Sequence, residues 1–169
     1  AEAAREITVP AGSSQVIDGN GAMTQVEYGE APSNAVFNVT SEKGADDGIE
    51  VRSNGSVSLN GTGPYIISMI NPNSEVVGRV IQIKSACTVT LDGIRIDASS
   101  SNKVSPLEIA SGLSDVTLIL KGQNYLKGSQ LAAAIDNNGT PLTIKGDGSL
   151  TAIAGSGSAA IGGSQGKGG

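Results

Sequence analysis

The chain has no tryptophan and no histidine, and only one phenylalanine, three tyrosines and one cysteine among 169 residues. Large aromatic side chains therefore cannot fill a core, and no imidazole is available for acid–base or metal chemistry. The lone Cys87 excludes a disulfide framework and a thiolate metal cluster, and it is read as structural. There is also no basic block: 11 basic and 16 acidic residues give a net charge of −5. Nucleic acid is therefore not an expected partner, because phosphate binding needs clustered Lys and Arg with stacking aromatics. The longest apolar runs, such as Tyr65 to Ile70, are far too short to cross a bilayer as a helix, so membrane insertion is not expected. What remains is Val, Ile, Leu and Ala with 24 glycines. That composition suits a narrow core of stacked aliphatic side chains joined by many turns.

A repeated pattern orders these residues. Aliphatic pairs recur at Ile7/Val9, Ile49/Val51, Ile81/Ile83, Leu107/Ile109, Ala133/Ile135 and Ala159/Ile161, and the last three intervals are 26 residues each. Equal spacing of this size is the mark of a solenoid. After each pair comes a turn ("RSNGS", "KSACT", "ASGLS", "DNNGT"), then a period-2 stretch such as Val89-Leu91 or Val116-Leu118-Leu120. A glycine follows (Gly61, Gly93, Gly122 or Gly146), and then a third short apolar segment, as at 94–96, 125–126 and 149–153. Alternation with β-branched residues specifies strand, and the glycines allow sharp corners. Three short strands per repeat make one coil of a parallel β-helix. The expected fold is thus all-β, a right-handed parallel β-helix of about five coils, with Val51, Ile83, Ile109, Ile135 and Ile161 stacked along its core. The drift to Ala133 and Ala159 in the companion row implies a thinner or differently packed core at the C-terminal end.

The first two repeats are longer, and "TGPYIISMINPNSEVVG" reads as an insertion. Residues 1–48 are assigned to an N-terminal cap and first coil, with Tyr28 and Phe37 packing over the solenoid, and residues 49–169 to the repeats. The opening "AEAARE" reads either as a mature N-terminus left after cleavage at a small-residue site or as an arbitrary boundary. The closing "AAIGGSQGKGG" starts a further repeat, which implies a fragment of a longer protein or an open end that meets another subunit.

The segments "VTLDGIRIDASS", "PLEIASGLSDVTLILKGQNYLKG" and "LTIKGDGSLTAIAGSGSAAIGG" resemble the glycine-rich repeats of large secreted surface proteins of Gram-positive bacteria. Those proteins carry β-helical domains of carbohydrate-binding type within the pectate-lyase-like superfamily. The resemblance covers residues 80–169, and earlier residues share only the repeat frame. It implies an extracellular, wall-associated or adhesive setting and a polysaccharide or cell-surface glycan as partner.

Outward positions of the first strand form two further rows. Glu50, Gln82 and Glu108 share one, and Arg52, Lys84 and Asp136 share the next, making a polar stripe along which a glycan could lie. The competing reading is a solvated strand face with cross-strand ion pairs. Tyr65 and Tyr125 are the candidate stacking platforms for a sugar ring, or else corner packing. Asp46 and Asp47, in "GADDGIE", are candidate Ca²⁺ ligands, weighed against a solvated turn. A lyase would draw on Asp92, Arg95, Asp97 and Asp115. A hydrolase would need Glu50 and Glu108 about 9.5 Å apart, two coils at the strand spacing. The expectation is a non-catalytic carbohydrate-binding or adhesive module. The alternatives are a structural module self-associating through its open ends and a polysaccharide lyase-like enzyme.

Overall fold

The computed structural model describes residues 13–17, 23–27 and 34–163, and no helix occurs among them. The chain divides into two compact units, Ala1–Ser33 and Asn34–Gly169. In the first, β1 (Ser13–Ile17) pairs antiparallel with β2 (Met23–Glu27). The expected repeat at Ile7/Val9 and the packing role of Tyr28 lie outside the described residues.

The second unit is a parallel β-solenoid preceded by two reversed strands, β3 (Phe37–Ser41) and β4 (Ile49–Val51). Its first turn holds β5 (Val57–Leu59), β6 (Tyr65–Met69) and β7 (Val76–Val77). The second holds β8 (Ile81–Ile83), β9 (Thr88–Asp92) and β10 (Arg95–Asp97), and the third β11 (Leu107–Ile109), β12 (Val116–Lys121) and β13 (Gln123–Lys127). The fourth holds β14 (Ile135–Asp136), β15 (Leu142–Lys145) and β16 (Ser149–Ile153), after which β17 (Ile161–Gly162) begins again. Three sheets run along the stack in the orders β17-β14-β11-β8-β5-β4, β15-β12-β9-β6-β3 and β16-β13-β10-β7. They are called sheets one, two and three below.

The core is a set of aliphatic columns. In sheet one Leu59, Ile83 and Ile109 stack, as do Val57, Ile81, Leu107, Ile135 and Ile161. In sheet two Tyr65, Val89, Leu118 and Ile144 stack beside Ile67, Leu91 and Leu120. Sheet three adds Val76, Ile96, Leu126 and Ala152. In the second and third turns these side chains are almost all fully buried. Each large aliphatic taken out of water contributes roughly 1.5–3 kcal/mol, so the repeat itself is the stabilising element. Asn124, buried at a corner, completes the third sheet. Its Oδ1 accepts the Ile94 N–H at 2.8 Å, and its Nδ2 donates to the carbonyls of Lys121 and Ser149, each at 3.2 Å. One polar side chain thereby satisfies backbone groups from three successive turns.

The architecture agrees with the sequence, but the frame differs in three places. Ile49 and Val51 do not begin a coil: they pair antiparallel with Leu59 and Val57. The connection "RSNGS" is too short for a parallel crossover and folds as a tight hairpin turn, with Gly55 at positive φ. Val57-Leu59 is consequently the first strand of a turn rather than the second. The supposed insertion "TGPYIISMINPNSEVVG" supplies β6 and β7, with Tyr65, Ile67 and Met69 buried and Ile66 and Ser68 facing outward. Finally, Ile135 stacks on Leu107, not on Ile109. This register keeps a large aliphatic in the column, where Ala133 would leave a void. Ala132, Ala133 and Ala134 fill the preceding corner instead. The column therefore does not thin toward the C-terminal end. Counting from Val57, four turns are described rather than five, and residues 34–48, expected in a cap, contribute β3 to sheet two.

Corner glycines follow from two different needs. Gly93, Gly122 and Gly146 adopt positive φ after their strands. Gly61 does not, but a Cβ there would collide with Asp47 and with the Tyr65 hydroxyl.

Candidate functional site

The outward column of sheet one reads Glu50, Ser58, Gln82, Glu108 and Asp136 in register. Strand alternation points these side chains away from the columns of Ile, Val and Leu on either side. Arg52, on the turn after β4, donates from Nη2 to Gln82 Oε1 and, at 3.4 Å, to Ser58 Oγ. Ser58 Oγ donates to the same Gln82 oxygen at 3.1 Å, and Gln82 Nε2 donates to Glu108 Oε2 at 3.0 Å. Arg52, Gln82 and Glu108 are thus one hydrogen-bonded relay. Lys84 joins Gln82, Glu108, Ala110 and Asn138 around a cleft of about 140 Å³. That is well below the roughly 300–1,000 Å³ of an enclosing small-molecule site, so the stripe offers an edge to lie along rather than a pocket to fill.

Glu50 and Glu108 are separated by three strand spacings, not two, because Ser58 and Gln82 both stand between them. At about 4.8 Å each this is roughly 14 Å, beyond the separation of a hydrolase carboxylate pair. Asp136 is the true neighbour of Glu108, and its Oδ1 accepts the Asn138 N–H at 3.1 Å. Asn138 sits at positive φ and donates from Nδ2 to the Ile109 carbonyl at 2.8 Å. Ser58 and Asn138 were not singled out from the sequence, and Asp136 was expected in the row of Arg52 and Lys84. Placing Ile135, rather than Ala133, beneath Leu107 moves it into the column of Glu108.

The remaining expected site residues separate. Tyr65 cannot be a stacking platform, because its ring is fully buried in sheet two. Its hydroxyl accepts the Gly61 N–H at 2.7 Å and donates to the Asp47 carbonyl at 2.5 Å. Burial pushes this phenol up to about 12. Asp47 is committed to the same corner. Its carboxylate accepts the Ser41 hydroxyl at 2.5 Å and the N–H groups of Thr62 and Gly63 at 2.9 and 2.8 Å. Those hydrogen bonds, the Ser41 hydroxyl foremost, hold it below the usual carboxylate value against the opposing effect of burial. Asp46 is exposed. Among the described residues no group of three or more His, Cys, Asp or Glu comes together as a metal site. The geometry makes Asp47 a strut binding β3 to the turn before β6.

Tyr125 lies on the outer face of sheet three, half-buried, with the Arg95 guanidinium 5.2 Å over its ring. Arg95 also pairs with Glu75 at 3.4 Å. A sugar stacking on that face would have to displace the cation. Asp92 and Asp97 face Lys121 and Lys127, each at 3.9 Å, and Asp97 is lowered chiefly by the Ser99 hydroxyl and N–H. Asp115 is exposed beside Ser114. These acids are spread over two sheets, each beside its own partner. Half-buried Cys87 has its thiol raised by burial, the environment of an unreactive packing residue.

Comparison with known proteins gave no match: no family model, no curated protein and no solved structure matches the chain.

Proposed function

We propose that the chain is a non-catalytic extracellular β-solenoid module that engages a polysaccharide or cell-surface glycan along the outer face of sheet one. The observation that carries this reading is the Arg52–Gln82–Glu108 relay. Its hydrogen-bonding groups are ordered before any ligand arrives: Arg52 is exposed, and Gln82 and Glu108 are half-buried on adjacent strands, whereas Ser58 and Asp136 in the same column are buried. Preorganisation of this kind reduces the entropic cost of holding a long, flexible polymer. The bacterial surface-protein resemblance of residues 80–169 points to the same ligand class. Pull-down on insoluble polysaccharides with a glycan array tests it. Retention that falls in Gln82→Ala and Glu108→Ala is expected, and no retention on any glycan overturns it.

A second reading is a structural module that associates end to end. It is favoured by the fourth turn, where Leu142, Ile144 and Leu150 are only partly buried and Ile153 and Ile161 are exposed. Light scattering that grows with concentration supports this reading, and a strict monomer at high concentration removes it. Release of unsaturated sugar ends from an acidic polysaccharide would instead favour a lyase.

A further inference from the structure

The outer face of sheet two carries a trough that the stripe does not involve. It measures about 340 Å³, within the size of a small-molecule site. Its middle column alternates chemistry strand by strand: Thr40 pairs with Ile66, Ile66 with Thr90, and Thr90 with Ile119. Ile66 is 48% exposed, unusual for a large aliphatic flanked by strands on both sides. Pro64 extends the apolar floor, and Thr88 lies two residues from Thr90 on the same face. Among the described residues the hydroxyls of Thr40, Thr88 and Thr90 enter no side-chain hydrogen bond with the protein, whereas those of Ser41, Ser58, Ser85 and Thr140 all do. The only charged group in the lining is the Glu42 carboxylate.

We propose that this trough is a second binding site, which takes one ring of a neutral glycan. The inference rests on the reading that the solenoid binds glycans, but it assigns a different face and an uncharged ligand. Thr40 and Thr90 stand two strand spacings apart, roughly 9.5 Å, with Ile66 between them. Subtracting one hydrogen bond of about 2.7 Å at each end leaves roughly 4 Å between the ligand's own oxygens. Hydroxyls on a single six-membered ring meet that span, and the ring's C–H face would lie on Ile66. Glu42 and the lack of any basic lining residue disfavour a uronate here, whereas Arg52 and Lys84 on the stripe would accept one.

The test is to titrate ¹⁵N-labelled protein with cellotetraose and, separately, with tetragalacturonate, following amide shifts and affinities in wild type, Thr90→Val, Thr40→Val and Gln82→Ala. Cellotetraose is expected to shift the amides of Ile66, Thr90 and Ile119. Each Thr→Val variant should weaken it about three- to tenfold, one lost hydrogen bond. Cellotetraose shifts confined to residues 82–84 and 108–110, or unchanged affinity in both Thr variants, overturn the trough. Tetragalacturonate binding that depends on Gln82 alone, with no cellotetraose binding, removes the trough and leaves the stripe standing. No binding of either sugar removes both.

Discussion

The first and fourth turns of the solenoid are built from similar residues, yet their cores differ. At the first turn Tyr65 and Ile67 are fully buried because β3 and β9 flank β6 on either side. At the fourth, Ile144 occupies the column of Tyr65 on β15, the last described strand of sheet two, and Leu142 stacks on Val116; both are half-buried. Burial in a stacked fold depends on neighbours above and below as much as on hydropathy. A terminal rung therefore gains much less of the transfer energy than an inner one. The first turn also has a lock that the fourth lacks, in which Asp47 and Tyr65 tie β3 to the corner at Gly61–Gly63.

The largest effect that would test this contrast is a matched pair of truncations. Ile83→Ala, within the central column, should cost about 2–5 kcal/mol. Ile144→Ala, on the last rung, should cost about 1 kcal/mol, since less area is removed from water. Urea unfolding of both variants measures the gap, and equal costs would break the comparison. Next, Asn124→Ala leaves the Ile94 N–H and the Lys121 and Ser149 carbonyls without their side-chain partner, at a cost of about 1–3 kcal/mol.

The lock itself predicts a pH signature at each extreme. Asp47 has a folded pKa below its unfolded value, so its contribution is complete above that unfolded value, about 4, and is lost as pH falls through the folded one. Asp47→Asn should flatten the acid limb of the stability profile. Tyr65 is raised from 10.0 to about 12, so its contribution is complete below pH 10 and is lost as pH rises toward 12. Tyr65→Phe should be less stable near neutrality by about 1 kcal/mol, with the difference from wild type shrinking across that alkaline window. Acid and alkaline urea titrations of wild type and variants decide both. The smallest effect belongs to the stripe: Glu108→Gln should change stability by less than about 0.5 kcal/mol, because an amide oxygen at this half-buried position can still accept the Gln82 Nε2 hydrogen bond.

The solenoid was legible in the sequence because stacked aliphatic positions repeat at a nearly constant interval. Ile81/Ile83 over Leu107/Ile109 emerges in the register the spacing gives. The errors arose where spacing and volume compete. At Ala133 the even interval pointed one way and side-chain size another, and size decided, carrying Asp136 into the column of Glu108. At Ile49 the repeat frame ignored that five residues allow only a hairpin return. The polar relay was half legible: Gln82 and Glu108 follow from register, whereas the reach of Arg52 across Ser58 is a matter of rotamer. Tyr65 illustrates the opposite limit: its alternation with Ile67 and Met69 favours an inward direction, but its hydroxyl joins nearby Gly61 to Asp47, eighteen residues back, which no local pattern reveals.

The reversed direction of β3 and β4 bears on any longer array. A copy whose fourth turn abutted these strands, with the long axis preserved, would meet them running the opposite way. Its hydrogen bonds at that joint would follow the alternating wide and narrow pattern of antiparallel pairs instead of the even slant within each module. A fibre made from such units would carry a seam once per subunit, and those seams, rather than the interior rungs, would set where it grows and where it breaks.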